Sequence, residues 1–312
     1  MRPTGNATEP SAAEPAPNAR LEADCALCGR VPVRVRSFRY AFKGRFLYGV
    51  SCSRCSLTFV YPQPSLEEIE EMYQEEYFTE NTDEVGAHGP RAYMEMAEES
   101  GSERHRSARR LAARIRRATG RQGDLLEIGC GPGFFLAELG TLGWKVRGLE
   151  LSEFAANHAR DILGLDVVQG GVQAKVFPPE SFDAIFLGDV LEHLPAPLES
   201  LRIVRSWLKP GGAAAIAVPS TLNLISARLG MALYGATGKW KTLRIPPYHL
   251  FEYTPRTLRR MLEAADLRIA ELDQSAVPIA RMGLRGAPWE NAGKVALQLV
   301  AQATSKTANF GG

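Results

Sequence analysis

The stretch that most constrains this chain is Leu125-Leu126-Glu127-Ile128-Gly129-Cys130-Gly131-Pro132-Gly133. An apolar run ends in three glycines at alternate positions, and Phe134 to Leu142 then follow with helical spacing. The pattern predicts a buried strand, a tight turn and a helix that starts at the turn. Glycine lacks the Cβ that would keep a ligand away from the backbone. The free N–H groups at the start of the helix suit a polar or anionic ligand group. A dinucleotide-binding turn needs Gly-x-Gly-x-x-Gly. Here the position three after Gly131 is Phe134, which breaks that pattern.

Alternation of strands and helices continues downstream. Trp144 to Leu149 reads as a second strand and ends at Glu150, followed by Leu151 and the helix-capping Ser152. An acid near the end of this strand can take both hydroxyls of a ribose with its two oxygens. Leu165 to Gln169 is a third strand and Phe182 to Leu187 a fourth. Gly188-Asp189-Val190-Leu191-Glu192-His193 lies at the carboxyl end of the fourth. Ala213 to Val218 is a fifth strand, and residues 267–273 alternate as a last one. Strands that alternate with helices form a parallel sheet with ligands at the carboxyl ends.

The N-terminal part reads differently. Cys25-Ala-Leu-Cys28 and Cys52-Ser-Arg-Cys55 form two Cys-x-x-Cys pairs, each able to place two thiolates on one turn. Two such turns facing each other give a tetrahedral four-thiolate zinc site of structural type, with no open position for water. The residues between them, among them Val31, Val33, Val35, Phe38, Tyr40 and Phe42, favour strands. Between Cys25 and Leu66 there are seven basic residues and no acid. Either this face binds an anion, or the arginines offset the charge of the thiolates. Ser65-Leu-Glu-Glu68 is a capping box that opens an acidic helix. Glu103 to Arg121 carries eight arginines on a helix with an apolar stripe, which reads as a solvated face paired with the acidic helix.

These motifs together resemble class I S-adenosylmethionine-dependent methyltransferases with an N-terminal zinc ribbon. The resemblance rests on Glu127 to Gly133, Glu150, Ser181-Phe-Asp183, Val190-Leu-Glu-His193, Leu208-Lys-Pro-Gly-Gly212 and Pro247-Tyr-His249-Leu-Phe-Glu-Tyr253. It implies an α/β fold: a doubly wound, mostly parallel, seven-stranded Rossmann-like sheet preceded by a small four-cysteine zinc ribbon. It further implies the ribbon over 21–63 and a helical linker over 64–120, while residues 1–20, rich in Pro, Ala, Glu, Thr and Asn without periodicity, are expected to be disordered. The methyltransferase domain would span 121–275 and a tail 276–312. Glu127, Gly129, Gly131 and Gly133 would flank the methionine part of the cofactor, Glu150 with Leu151 the ribose, and Asp189 the amino end. An acid often follows the third strand to hold adenine. Here the stretch is Gln169-Gly170-Gly171-Val172, so Gln169 or the backbone would take that contact. The implied ligands are S-adenosylmethionine and Zn2+, the latter on Cys25, Cys28, Cys52 and Cys55. His249 and His193 are the candidate bases, since histidine alone titrates near neutrality unaided.

Composition narrows the class. The chain has 312 residues, is 45% hydrophobic and 23% charged, and carries a net charge of +2. That is a globular balance with no global bias toward nucleic acid. No apolar run reaches the roughly 18 residues of a membrane span, and the N-terminus has no secretory pattern, so a cytoplasmic protein is expected. The expected acceptor is a small molecule, a sugar or natural product methylated at oxygen or carbon. The alternatives are RNA, held by the basic ribbon and the arginine helix, and a cofactor-binding module without turnover. The oligomeric state is left open.

Overall fold

The computed structural model describes residues 14–80, 93–95, 101–220 and 234–274, with 292–293, 295–296 and 299. The expectation of disorder over 1–20 falls outside this set except at its end, where Arg20 opens a strand. Most of the 276–312 tail and residues 221–233 also lie outside it.

Two sheets make up the described fold. The first contains the cysteine segment: β1 (Arg20–Cys25), β2 (Gly29–Phe42), β3 (Arg45–Cys52) and β4 (Thr58–Tyr61), joined as antiparallel neighbours. Inward residues alternate along β2, with Val31, Val33 and Val35 buried. That is the period of a strand with one wet face.

The second sheet is parallel, in the order β7-β6-β5-β8-β9. Its strands are β5 (Asp124–Ile128), β6 (Lys145–Glu150), β7 (Val167–Gln169), β8 (Phe182–Gly188) and β9 (Leu208–Ala217). Helices cover both faces. On one face α3 (Gly101–Thr119) and α4 (Phe134–Thr141) bury Ala108, Ala112, Ile115, Leu136 and Leu139. On the other, α6 (Pro197–Trp207) packs Ile203, Val204 and Trp207 against Leu126, Ile128, Ile185 and Leu187. The remaining helix of this part, α5 (Glu153–Asn157), is capped by the Ser152 hydroxyl and runs into a wider turn over His158–Ile162. The chain leaves β5 toward β6 on one side and returns at β8 on the other, which opens a crevice at their carboxyl ends.

Seven strands are expected from the sequence, and the described residues form five in this sheet. Residues 267–274 adopt no strand. Leu267, Ile269 and Leu272 are half-buried against the core, so their alternation is satisfied by packing without a sheet partner. At the preceding position Asp266 takes φ +57°, a left-handed turn that Asp tolerates better than most residues.

The two sheets share a core. The short strands β10 (Lys241–Leu243) and β11 (Phe251–Glu252) come from far along the chain, yet β10 pairs with β2 and β11 with β4. Valines of β2 and β3, Leu57 and Phe59 then pack with Leu250, Phe251, Tyr253 and with Leu258 and Met261 of α7 (Pro255–Ala264). The acidic helix α1 (Leu66–Glu71) has the expected capping box and is followed by the short helix α2 (Glu75–Thr79). Its partners differ from the expected ones: Glu68 pairs with Arg45 at 2.5 Å and Glu71 with Lys43, both on the first sheet. The arginines of α3 and its end find acids elsewhere. Arg104 meets Glu138, Arg114 meets Glu271 and Asp273, and Arg121 meets Asp183.

Candidate functional site

Two carboxylates lie beneath the glycine turn. Glu150 closes β6 and is 7% exposed. Its Oε2 accepts the Gly131 N–H at 2.8 Å and its Oε1 accepts the Ser152 N–H at 2.8 Å. Burial raises its carboxyl above the ordinary value, and these two bonds oppose the rise. Glu127 in β5 is 5% exposed, and its Oε2 has no hydrogen-bond partner. Burial first, and the charge of Glu150 second, push it well above the usual carboxylate range.

The three glycines differ in what lies behind them. A Cβ at Gly129 would come 2.5 Å from Val190 Cγ2, and one at Gly133 would come 2.7 Å from Leu165 Cδ1. At Gly131, with φ +53°, the nearest atom is the Tyr93 hydroxyl at 3.7 Å. The turn is therefore packed against protein at its ends and open at its centre, where a ligand would approach. Asp189 stands at the end of β8 with φ +54° and an N–H bonded to the Ala217 carbonyl at 3.0 Å. Glu127, Gly129, Gly131, Gly133, Glu150 and Asp189 thus gather at the carboxyl ends of β5, β6 and β8. Leu151 is half-buried beside Glu150. Gln169 is exposed at the end of β7, in register with Glu150.

A wall of histidines, acids and tyrosines stands at the end of β8. His193 ends a short turn over Leu191–His193, and His249 lies on the segment leading into β11. The Leu250 N–H donates to the Glu192 carbonyl at 2.9 Å and ties the two segments together. The imidazole rings of His193 and His249 meet edge to face at 4.9 Å. His193 Nδ1 lies 2.7 Å from the Tyr73 hydroxyl and 2.8 Å from the Tyr248 carbonyl, so it accepts from the first or donates to the second. Burial first, then His249, pulls His193 down to about 3. His249 shifts the other way: burial lowers it, but Glu252, Glu192 and Asp189 outweigh burial and raise it. Glu192 is 1% exposed, neither of its oxygens has a hydrogen-bond partner, and burial chiefly raises it to about 8. Tyr73, Tyr77 and Tyr248 face one another with ring centroids 5.2–5.8 Å apart.

The family model described as "Methyltransferase domain" matches residues 101–272, more than half of the chain. This protein belongs to that methyltransferase family. A relative named ubiquinone biosynthesis O-methyltransferase, from Xanthomonas campestris pv. campestris (strain B100), is 29% identical over 174 residues, 54% of this chain and 68% of the relative. The protein of the same name from Dinoroseobacter shibae is 34% identical over 150 residues, 46% of this chain and 59% of the relative. Among solved structures, DesVI of Streptomyces venezuelae is 25% identical with a TM-score of 0.37, covering 41% of this chain and 56% of its own. CalS10, an amino pentose methyltransferase from Micromonospora echinaspora solved with S-adenosylmethionine, is 27% identical with a TM-score of 0.36, covering 40% and 56%. The chain spans less than two thirds of the length of these two solved proteins.

The methyltransferase carries an S-adenosylmethionine-dependent domain, and its residues fit that cofactor. The open centre of the turn offers space, and the buried Glu150 and the unpartnered Glu127 oxygen offer hydrogen-bond acceptors beside it. The N-terminal part has the cysteine spacing and geometry of a zinc ribbon. The Sγ atoms of Cys25, Cys28, Cys52 and Cys55 lie within 4.8 Å of one another, and Cys25 and Cys55 are 3.6 Å apart. A tetrahedron with Zn–S bonds of about 2.3 Å has edges of about 3.8 Å, whereas a disulfide needs about 2.05 Å. The Arg54 and Cys55 N–H groups point at Cys52 Sγ at 3.4 Å each, as outer bonds to a metal-bound thiolate do.

Sequence reasoning did not single out Tyr73, Tyr77, Tyr93 and Tyr248 as site residues. They come from three separated segments, and only Tyr73 and Tyr77 share a spacing, four residues apart. The Tyr-His-Leu-Phe-Glu run at 248–252 was the one visible pointer.

Proposed function

We propose that this methyltransferase moves a methyl group from S-adenosylmethionine to a hydroxyl-bearing small molecule of sugar or natural-product type, at oxygen or an adjacent carbon. The observation that carries this reading is the wall at the end of β8. Tyr73, Tyr77, Tyr248, His193 and His249 are half-buried and cluster there around the buried Glu192. Flat faces with polar tips suit a ring-sized acceptor that carries hydroxyls. The O-methyltransferase names of the curated relatives support an oxygen acceptor.

When bound, the cofactor supplies a methyl group on a good thioether leaving group, so positioning is the main task of the protein. Glu150 accepts the ribose hydroxyls with lone pairs not used by Gly131 and Ser152. Gly131 leaves room for the methionine part, Gly129 and Gly133 let the turn pack closely on Val190 and Leu165, and Glu127 and Asp189 would face the ammonium. Leu151 and Gln169 border the ribose and adenine. The acceptor proton is handled at the wall. His193, held down to about 3, cannot keep a proton at neutral pH and serves to position its neighbours. His249, raised by the surrounding acids, is the residue through which acceptor charge is managed. The four cysteines hold Zn2+ as a structural ion, which braces the sheet that carries β11 and hence His249.

RNA is the weaker acceptor. Arg104, Arg114 and Arg121 are already paired with acids, which takes them from a phosphate-binding face. The test is a labelled-methyl screen across cell-extract fractions of small molecules, RNA and protein. Label in the small-molecule fraction is expected. Label confined to RNA or protein would refute this acceptor class.

A further inference from the structure

We propose that Glu192, His193 and His249 hold a divalent transition-metal ion in the acceptor wall. The ligand atoms of the three residues all lie within 4.8 Å of one another. Donors around one ion with bonds of about 2.0–2.2 Å stand about 3–4 Å apart, and His193 Nε2 and Glu192 Oε1, 3.6 Å apart, already meet that spacing. Two imidazoles with one carboxylate are a donor set for ions such as Zn2+, Fe2+, Co2+ or Mn2+.

Glu192 is the deciding residue. It is 1% exposed, and neither oxygen has a hydrogen-bond partner. A buried carboxyl without a donor is costly, and a cation between it and two imidazoles removes that cost. The outer groups are in place as well. His193 Nδ1 is engaged by the Tyr248 carbonyl and the Tyr73 hydroxyl, which turns Nε2 toward Glu192 Oε1 at 3.6 Å. Imidazoles that ligate metals are oriented in this way through their other nitrogen. His249 Nδ1 lies 3.8 Å from Glu252 Oε1, and Glu252 Oε2 also lacks a partner. The site is separate from the ribbon in both residues and chemistry: nitrogen and oxygen donors here, four thiolates there.

The inference rests on the acceptor reading and specifies how the wall acts. An ion there takes an acceptor hydroxyl as a further ligand and lowers its pKa. His249 is then a ligand and no longer a free base.

The test is a Co2+ titration of the full chain with zinc retained in the ribbon, followed by visible absorption and by metal counting after gel filtration. One Co2+ per chain is expected, with weak visible bands and no thiolate-to-cobalt charge-transfer band. Glu192→Gln and His249→Gln should weaken it by more than about tenfold, the loss that even an outer partner commonly causes. Glu138→Gln, away from the wall, should bind as the parent does. S-adenosylmethionine affinity near the parent's in each variant checks folding. No Co2+ beyond the ribbon in the parent, a charge-transfer band as the only signal, or full affinity in both wall variants would each overturn the site. Co2+ binding without methyl transfer to any small molecule would leave the site standing and remove the acceptor reading. Transfer by a chain that binds no Co2+ would do the reverse.

Discussion

Replacing Glu150 by Gln separates two roles of one side chain. In the parent, each carboxylate oxygen accepts one backbone N–H at 2.8 Å, from Gly131 and from Ser152. Gln keeps one oxygen and presents an NH2 group to the other N–H, so one donor faces another in a buried place. An unmet buried donor costs about 1–3 kcal/mol, and that is the expected loss of stability without cofactor. The relief of a buried charge offsets part of it, since burial already raises the Glu150 carboxyl. The ribose hydroxyls lose a charged acceptor as well. A hydrogen bond to a charged group contributes about 1.5–3 kcal/mol, equivalent to a roughly 10- to 150-fold weaker Kd. Denaturant unfolding of the free protein measures the first loss, and calorimetric titration with S-adenosylmethionine the second. An unchanged Kd with reduced stability would mean that Glu150 only holds the turn. Unchanged stability would mean that the two N–H bonds do not hold it.

Other outcomes follow from the same geometry. Glu127→Gln should flatten the pH dependence of stability. A carboxyl raised in the folded state loses stability as pH climbs above its ordinary range, because the unfolded chain gives up its proton first. Thermal melts of the variant should match the parent near about pH 4 and exceed it near about pH 7; a lower melting point at the higher pH would contradict this. Metal analysis of freshly purified, reduced protein should find zinc that disappears in Cys52→Ser. Chelation should lower turnover more than cofactor affinity, because β11 and Leu250 share the ribbon's sheet and core. Loss of cofactor binding in step with zinc would argue against that division. His249→Ala should lower kcat by about 10²–10⁴-fold at nearly constant cofactor Kd if His249 acts as a free base, and a loss restored by no change of pH marks it as a ligand instead. Full activity would remove His249 from the chemistry.

The parallel sheet was legible because its signals are local. Leu125 to Gly133 carries strand, turn and helix start within nine residues, and the ribbon cysteines announce themselves by spacing. The union of the two sheets was not. It depends on β10 and β11, strands of three and two residues that pair with Phe38–Tyr40 and Thr58–Phe59 across long stretches of chain. Segments that short carry no periodicity. The alternation at 267–273 predicted a strand for the opposite reason: half-burial of Leu267, Ile269 and Leu272 against a core produces the same pattern as a pleat. The acidic charge of α1 suggested pairing with the arginine helix, but its pairing with Arg45 and Lys43 is set by the tertiary fold. At the wall, His193 and His249 were identified one by one. Their 4.9 Å approach and the tyrosines around them depend on the Leu250 to Glu192 backbone bond, which no motif encodes.

The most direct test of the central claim is a crystal structure of the full chain with S-adenosylhomocysteine. The ribose is predicted against Glu150, the backbone of Gly131 beneath the ligand, and the thioether sulfur on the side that faces His249 and Glu192. A ligand bound elsewhere, or one whose sulfur points away from that wall, would contradict the account.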